Sequence, residues 1–279
     1  MDHATNTFGQ RLAAAGRERG RLCVGIDPHP YLLEQWGLDN SAEGLRTFSL
    51  RCVDAFADTA ALVKPQVAFF ERFGAAGFAV LEETLACLRE VGCLTVADAK
   101  RGDIGSTMEG YGDAWLGESS PLRADSLTLS PYLGVGALGV AIATAQKNNR
   151  GVFVLAATSN PEARAIQAVP AGTADSIAQA VVDECAAFNA AEKKAGVPGS
   201  VGVVVGATVE NPPGLDVLNG PVLLPGVGAQ GAGPVQVNAI VSQCPQHGFA
   251  NVSRAVLQRG PKVDDLRKAV IETADQFRD

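Results

Sequence analysis

Eight short apolar runs recur along the chain: "RLCVGI" (21–26), "AALVK" (60–64), "CLTVA" (93–97), "SLTLS" (126–130), "GVFVLAA" (151–157), "VGVVVG" (201–206), "PVLLP" (221–225) and "FANVS" (249–253). They are too short for helices, rich in Val and Leu, and apolar on both parities. That is the pattern of strands buried on both faces of a parallel sheet. Helical periodicity lies between them at 42–60, 74–92, 176–196 and 263–277, and glycine follows a helix in "EVGC" and "KAGVPGS", as C-cap chemistry favours. Residues 1–20 lack the apolar core of a secretory signal and read as a polar amphipathic helix. Eight strands alternating with helices predict a (β/α)8 TIM barrel, one domain over residues 1–279 with an N-terminal helix. The alternative is a doubly wound open sheet, which has fewer strands and a nucleotide-binding turn near its start.

The polar residues just past these runs sharpen the choice. They are Asp27, Lys64, Asp98 with Lys100, Ser130, Ser159, Gln230 and Arg254. In a barrel such positions converge on the C-terminal mouth, where active sites of this fold lie. Taken singly, Asp27 before Pro28 and Ser159 in "TSNP" also fit turn formers. Lys64 has apolar neighbours, which a solvated surface lysine would not need.

Composition narrows the class of protein. The chain has 279 residues, 47% hydrophobic and 19% charged, with a net charge of −7. A large core follows, and nucleic acid or an anionic membrane surface is a poor partner. No stretch approaches the ~18 uninterrupted apolar residues of a membrane span. The six cysteines form no CxxC pair; they predict buried free thiols in a reducing compartment, hence a cytoplasmic protein.

The densest chemistry is "VADAKRGDIGST" (96–107), with Asp98, Lys100, Arg101 and Asp103 within six positions at the end of an apolar run. Charges buried there are costly unless paired or used. Period two places Asp98 and Lys100 on one face, with Ala97 and Ala99 on the other. Gly102 permits a turn that takes Asp103 off the strand line, and Lys64 can complete a Lys–Asp–Lys–Asp array. The bland alternative is a salt-bridge network on the rim. "GVGAQG" (226–231) matches a dinucleotide fingerprint, but no acidic residue ends the next strand. It reads better as a loop that offers backbone N–H groups to an anion, with Gln230 and Arg254 beside it. The "RGD" at 101–103 carries no adhesion signal in a chain of this kind.

The pattern D-x-K-x-x-D-[IV]-x-x-T, here Asp98, Lys100, Asp103, Ile104 and Thr107, resembles the signature of the orotidine 5'-phosphate decarboxylase family. "VGIDPHP", "VKPQVAFFERFG", "SNP", "PGVGAQG" and "NVSR" extend the likeness over nearly the whole chain, and "LTLSPYLG" is similar to a longer branch of that family. The resemblance implies a barrel that dimerises with active sites at the interface. It implies decarboxylation of orotidine 5'-monophosphate to UMP without metal or organic cofactor. By motif, Lys100 would protonate C6, Asp98 would lie near the substrate carboxylate, and Lys64 would hold the array and touch the ribose. Asp103 and Thr107 would reach into the neighbouring subunit's site, with Ile104 on the carbon-dioxide side. Asp27 would bind a ribose hydroxyl, Ser159 the pyrimidine edge, Pro225 the base, and Gln230 with Arg254 the phosphate. The rivals are a Mg2+-dependent sugar-phosphate decarboxylase or aldolase of the same barrel group, and a non-catalytic phosphometabolite-binding barrel. Val96 stands two residues before Asp98 where a metal shell would want an acid.

Overall fold

A computed structural model describes residues 6–228 and 231–278. Its eight strands are β1 (Leu22–Ile26), β2 (Leu62–Pro65), β3 (Val96–Arg101), β4 (Ser126–Leu129), β5 (Gly151–Ala157), β6 (Val201–Val205), β7 (Val222–Pro225) and β8 (Gly248–Val252). Neighbouring strands pair in parallel in the order β2-β1-β8-β7-β6-β5-β4-β3. Isolated bridges Val63–Thr95 and Gln66–Asp98 join β2 to β3, so the sheet closes into the expected barrel. The second bridge involves the very residues that build the site.

Two apolar layers hold this barrel. Inside it, Cys23, Leu62, Val96, Phe153, Val204, Leu223 and Phe249 pack with Phe8 and Leu12. Those last two come from α1 (Phe8–Arg19), which stoppers the N-terminal end. The helix starts at a capping box: Thr7 accepts the Gln10 N–H, and the Gln10 side chain accepts the Thr7 N–H. Outside the barrel, helices bury one stripe each. Helix Ala42–Phe56 is capped by Ser41 and buries Leu45, Phe48, Cys52, Val53 and Phe56, the spacing of a single apolar face. Among the described residues, no helix is long and apolar enough to cross a membrane.

Two expected boundaries move for physical reasons. The apolar run 93–97 predicts the third strand, but β3 covers Val96–Arg101, so Asp98, Lys100 and Arg101 lie within the strand and Asp103 beyond it. The helix expected over 176–196 is interrupted at Asn189. The fully buried Asn189 amide donates to the Val201 and Leu218 carbonyls and accepts the Val201 N–H. That side chain ties the helix to β6 at the cost of one helical turn's continuity.

Candidate active site

At the C-terminal mouth, Asp27, Lys64, Gln66, Asp98, Lys100, Thr128, Leu155, Thr158, Pro225, Asn251, Ser253 and Arg254 line a cleft of about 260 Å³. The ends of all eight strands contribute to it, β6 through Val204. Period two along β3 turns Val96 into the barrel core and Asp98 into the cleft, while Ala97 packs outward against the helices. On β1, a Cβ at Gly25 would overlap the Ser253 hydroxyl at 1.9 Å. Glycine is what admits Ser253 to the floor of the mouth.

Asp98 is the hub. One carboxylate oxygen accepts from Lys64 Nζ at 3.0 Å and Gln66 Nε2 at 2.7 Å. The other accepts from Lys100 Nζ at 2.6 Å and Thr128 Oγ1 at 2.9 Å. Four donors saturate the acceptor capacity of a carboxylate, although Asp98 is only 8% exposed. Burial alone would raise its pKa, but Lys64 and Lys100 hold the carboxyl well below the usual range. Lys64 is 3% exposed; burial opposes its charge, yet Asp98 and Asp27 outweigh burial and raise its pKa above the ordinary lysine value. Both members of the buried pair are therefore ionised at neutral pH.

The other end of the array is open. Asp27 Oδ1 stands 3.9 Å from Lys64 Nζ and is buried without a hydrogen-bond partner among the described residues. An orphaned carboxylate oxygen facing a cleft is an acceptor waiting for a ligand hydroxyl. The Lys100 side chain is 46% exposed and, among the described residues, pairs only with Asp98, so its ammonium reaches the cavity. Arg254 opens the short helix after β8 and has no acidic partner among the described residues. Its fork is free for an anion at the rim.

Six predicted residues, Asp27, Lys64, Asp98, Lys100, Pro225 and Arg254, thus meet in one cleft. Asp103, Ile104 and Thr107 do not join it within this chain. The Asp103 carboxylate accepts the Ile104 N–H at 2.8 Å, and Ile104 and Thr107 are exposed. The four-membered charge array of a single chain is Asp27–Lys64–Asp98–Lys100, without Asp103. Gly102 has no left-handed backbone; it is needed because a Cβ there would lie 2.4 Å from the Ser130 carbonyl. Ser130 itself stays outside the cleft, its N–H donating to the Arg101 carbonyl. Ser159 lines an adjoining recess with Asn160 and Thr208, while its neighbour Thr158 lines both recess and cleft. Gln230 lies outside the described residues. Gln66, Thr128, Asn251 and Ser253 escaped the sequence reading. Each is a polar residue at even spacing on the inward parity of a strand, which is the signal that could have found them. Among the described residues, no group of three or more His, Cys, Asp or Glu converges to hold a metal ion.

Comparison with known proteins agrees with this geometry. Residues 20–269 match the model of the orotidine 5'-phosphate decarboxylase / HUMPS family. Orotidine 5'-phosphate decarboxylases of Corynebacterium efficiens and Corynebacterium glutamicum are 58% and 55% identical to it, over 98% and 97% of this chain and 98% of each relative. A crystal structure from Streptomyces avermitilis superposes with a TM-score of 0.93 at 47% identity, covering 98% of this chain and 95% of that one. The OMP decarboxylase of Leishmania donovani does so with a TM-score of 0.77 at 29% identity, covering 97% of each chain. With the barrel, the lysine–aspartate cleft and these relatives in agreement, the chain belongs to the orotidine 5'-phosphate decarboxylase family and is a carboxy-lyase.

Proposed function

We propose that the cleft converts orotidine 5'-monophosphate to UMP and carbon dioxide without metal or organic cofactor, as the last step of de novo pyrimidine synthesis. The observation that carries this reading is the Lys100 ammonium, half-exposed in the cleft and held by a carboxylate that four donors keep ionised. The C6–carboxylate bond breaks, its electron pair stays on C6, and Lys100 delivers a proton there as carbon dioxide leaves. The Lys100 amine regains its proton from solvent. A preorganised positive charge stabilises the carbon as negative charge develops. Asp98 lies beside the substrate carboxylate. A divalent cation at Asp98 would have to displace two lysine ammonium groups, which favours a cofactor-free route.

In the same reading, Asp27 Oδ1 accepts a ribose hydroxyl, and Lys64 bridges that ribose and Asp98. Pro225 borders the base, with Ser159 at the pyrimidine edge. Arg254 and Gln230 take the phosphate, whose remote contacts supply binding energy used at the reacting carbon. Asp103, Thr107 and Ile104 complete the site of a second copy in a homodimer. The exposure of Ile104 and Thr107, with the Asp103 carboxylate accepting the Ile104 N–H rather than a lysine of its own cleft, supports that assignment. Six free cysteines, five of them buried, support a reducing cytoplasmic setting.

The test is loss of orotidine 5'-monophosphate absorbance in the presence of EDTA. Wild-type protein is expected to turn over, and Lys100→Ala to lose at least about 1000-fold in kcat while still binding UMP. A folded wild-type sample without turnover, or one that acts only on a ketose phosphate with Mg2+, overturns the proposal.

A further inference from the structure

We propose that Thr128, on β4, is a positioning residue that sets the Lys100 ammonium; this rests on the reading of Lys100 as the proton donor. Lys100 is one of three non-glycine residues with positive φ among the described residues, at +50°, a conformation that a β-carbon disfavours. Such strain persists only where the surroundings impose it, and it clusters at functional positions. Here the source is visible. β3 slips its pairing register with β4 between Ala97 and Arg101. In a regular parallel ladder Lys100 would share the parity of Asp98, whose carbonyl accepts from Val67 on the β2 side, and its N–H would point towards β2. It donates instead to the Thr128 hydroxyl, at 2.9 Å.

That hydroxyl has one proton to give. Asp98 Oδ1 lies 2.9 Å away and the Ala97 carbonyl 3.5 Å, so the proton goes to the carboxylate. The same carboxylate oxygen accepts from Lys100 Nζ at 2.6 Å. A closed ring results: Lys100 N–H to Thr128, Thr128 to Asp98, and Lys100 Nζ back to Asp98. One hydroxyl therefore couples the strained backbone of the lysine to the carboxylate that, among the described residues, orients its ammonium. Thr128 is 1% exposed and lines the cleft. Lys64 has Asp27 as a second anchor; Lys100 has none among the described residues, so the consequence of losing Thr128 falls on Lys100.

Thr128→Val keeps the shape of the side chain and removes the hydroxyl; Thr128→Ala, assayed in parallel, guards against a valine form that fails to fold. Both variants are expected to lose about 10- to 100-fold in kcat. KM and the Kd for UMP should stay within about threefold, because Asp27, Lys64 and Arg254 are undisturbed. Thr128→Ser restores the hydroxyl and should return kcat to within about threefold of wild type. A merely structural role predicts that UMP affinity and kcat fall together. That outcome overturns the proposal, as does a serine form as slow as valine, or valine and alanine forms with wild-type kcat. If those results come with normal wild-type turnover, only the role of Thr128 fails. A wild-type protein without decarboxylase activity removes the reading of Lys100 and the role of Thr128 with it.

Discussion

Asp98 accepts four hydrogen bonds from three strands, and the two lysines it holds would otherwise be mutually repelling charges in a poorly solvated cleft. Its replacement is therefore more damaging than its small size suggests. Asp98→Asn leaves the buried Lys64 ammonium with only the more distant Asp27, and breaking a buried pair in this way costs about 3 kcal/mol. The pH dependence follows from the sign of the shift. The folded-state pKa of Asp98 is depressed, so its stabilisation is complete above the unfolded value of about 4 and is lost as pH falls through the folded value. Thermal melts of wild type and Asp98→Asn should differ by a constant interval from pH 8 to 5, and the interval should close in stronger acid. A gap that closes already near neutrality would mean that Asp98 is not held ionised by its lysines. Lys64 acts in the opposite sense. Its raised pKa gives stability that is present below the unfolded lysine value and lost only as pH rises through the folded one.

At the scale of elements, α1 is a stopper rather than a decoration. Phe8 is fully buried and meets the Phe153 ring edge-on at 6.1 Å, inside the barrel. Phe8→Ala should cost about 3–5 kcal/mol by leaving a cavity at the barrel floor. Chemical denaturation would read that loss, with KM for orotidine 5'-monophosphate unchanged because the cleft is at the other end; a large rise in KM would contradict a purely structural plug. The strand count and the convergence of Asp27, Lys64, Asp98, Lys100, Pro225 and Arg254 were legible because parallel barrels turn apolar runs into strands and strand ends into one mouth. What escaped the sequence has a local cause. β5 shifts register with β6 between Leu155 and Ala157, so inward parity passes from Leu155 to Thr158 and period-two counting misses Thr158. The slip in β3 likewise puts Lys100 into left-handed backbone, which no side-chain pattern announces. Thr128 and Asn251 sit within apolar runs, where a short polar residue looks like a satisfied core position until its partners are seen.

For the whole molecule, one copy of the chain leaves part of the signature motif unused. Gly102 packs against the Ser130 carbonyl, which brings the 103–107 segment beside the loop that carries Tyr132 and Leu133. Ile104 is 62%, Tyr132 82% and Leu133 52% exposed, an apolar surface of the kind that marks an interface. In the proposed homodimer this surface is covered by its counterpart, and Asp103 and Thr107 cross to the partner's cleft. A two-fold assembly then divides each site between subunits: Lys64, Asp98 and Lys100 from one, Asp103 from the other. Lys100→Ala and Asp103→Ala homodimers are each expected to be inactive, since every site in them lacks one member. A hybrid of the two holds one site without either lesion. Random exchange in an equimolar mixture makes half the dimers hybrid, so about a quarter of wild-type activity should return. Subunit exchange is verified independently, by mass of differently tagged chains. Exchange without recovery of activity would show that Asp103 serves its own subunit or none, and would reduce the site to the Asp27–Lys64–Asp98–Lys100 array of a single chain.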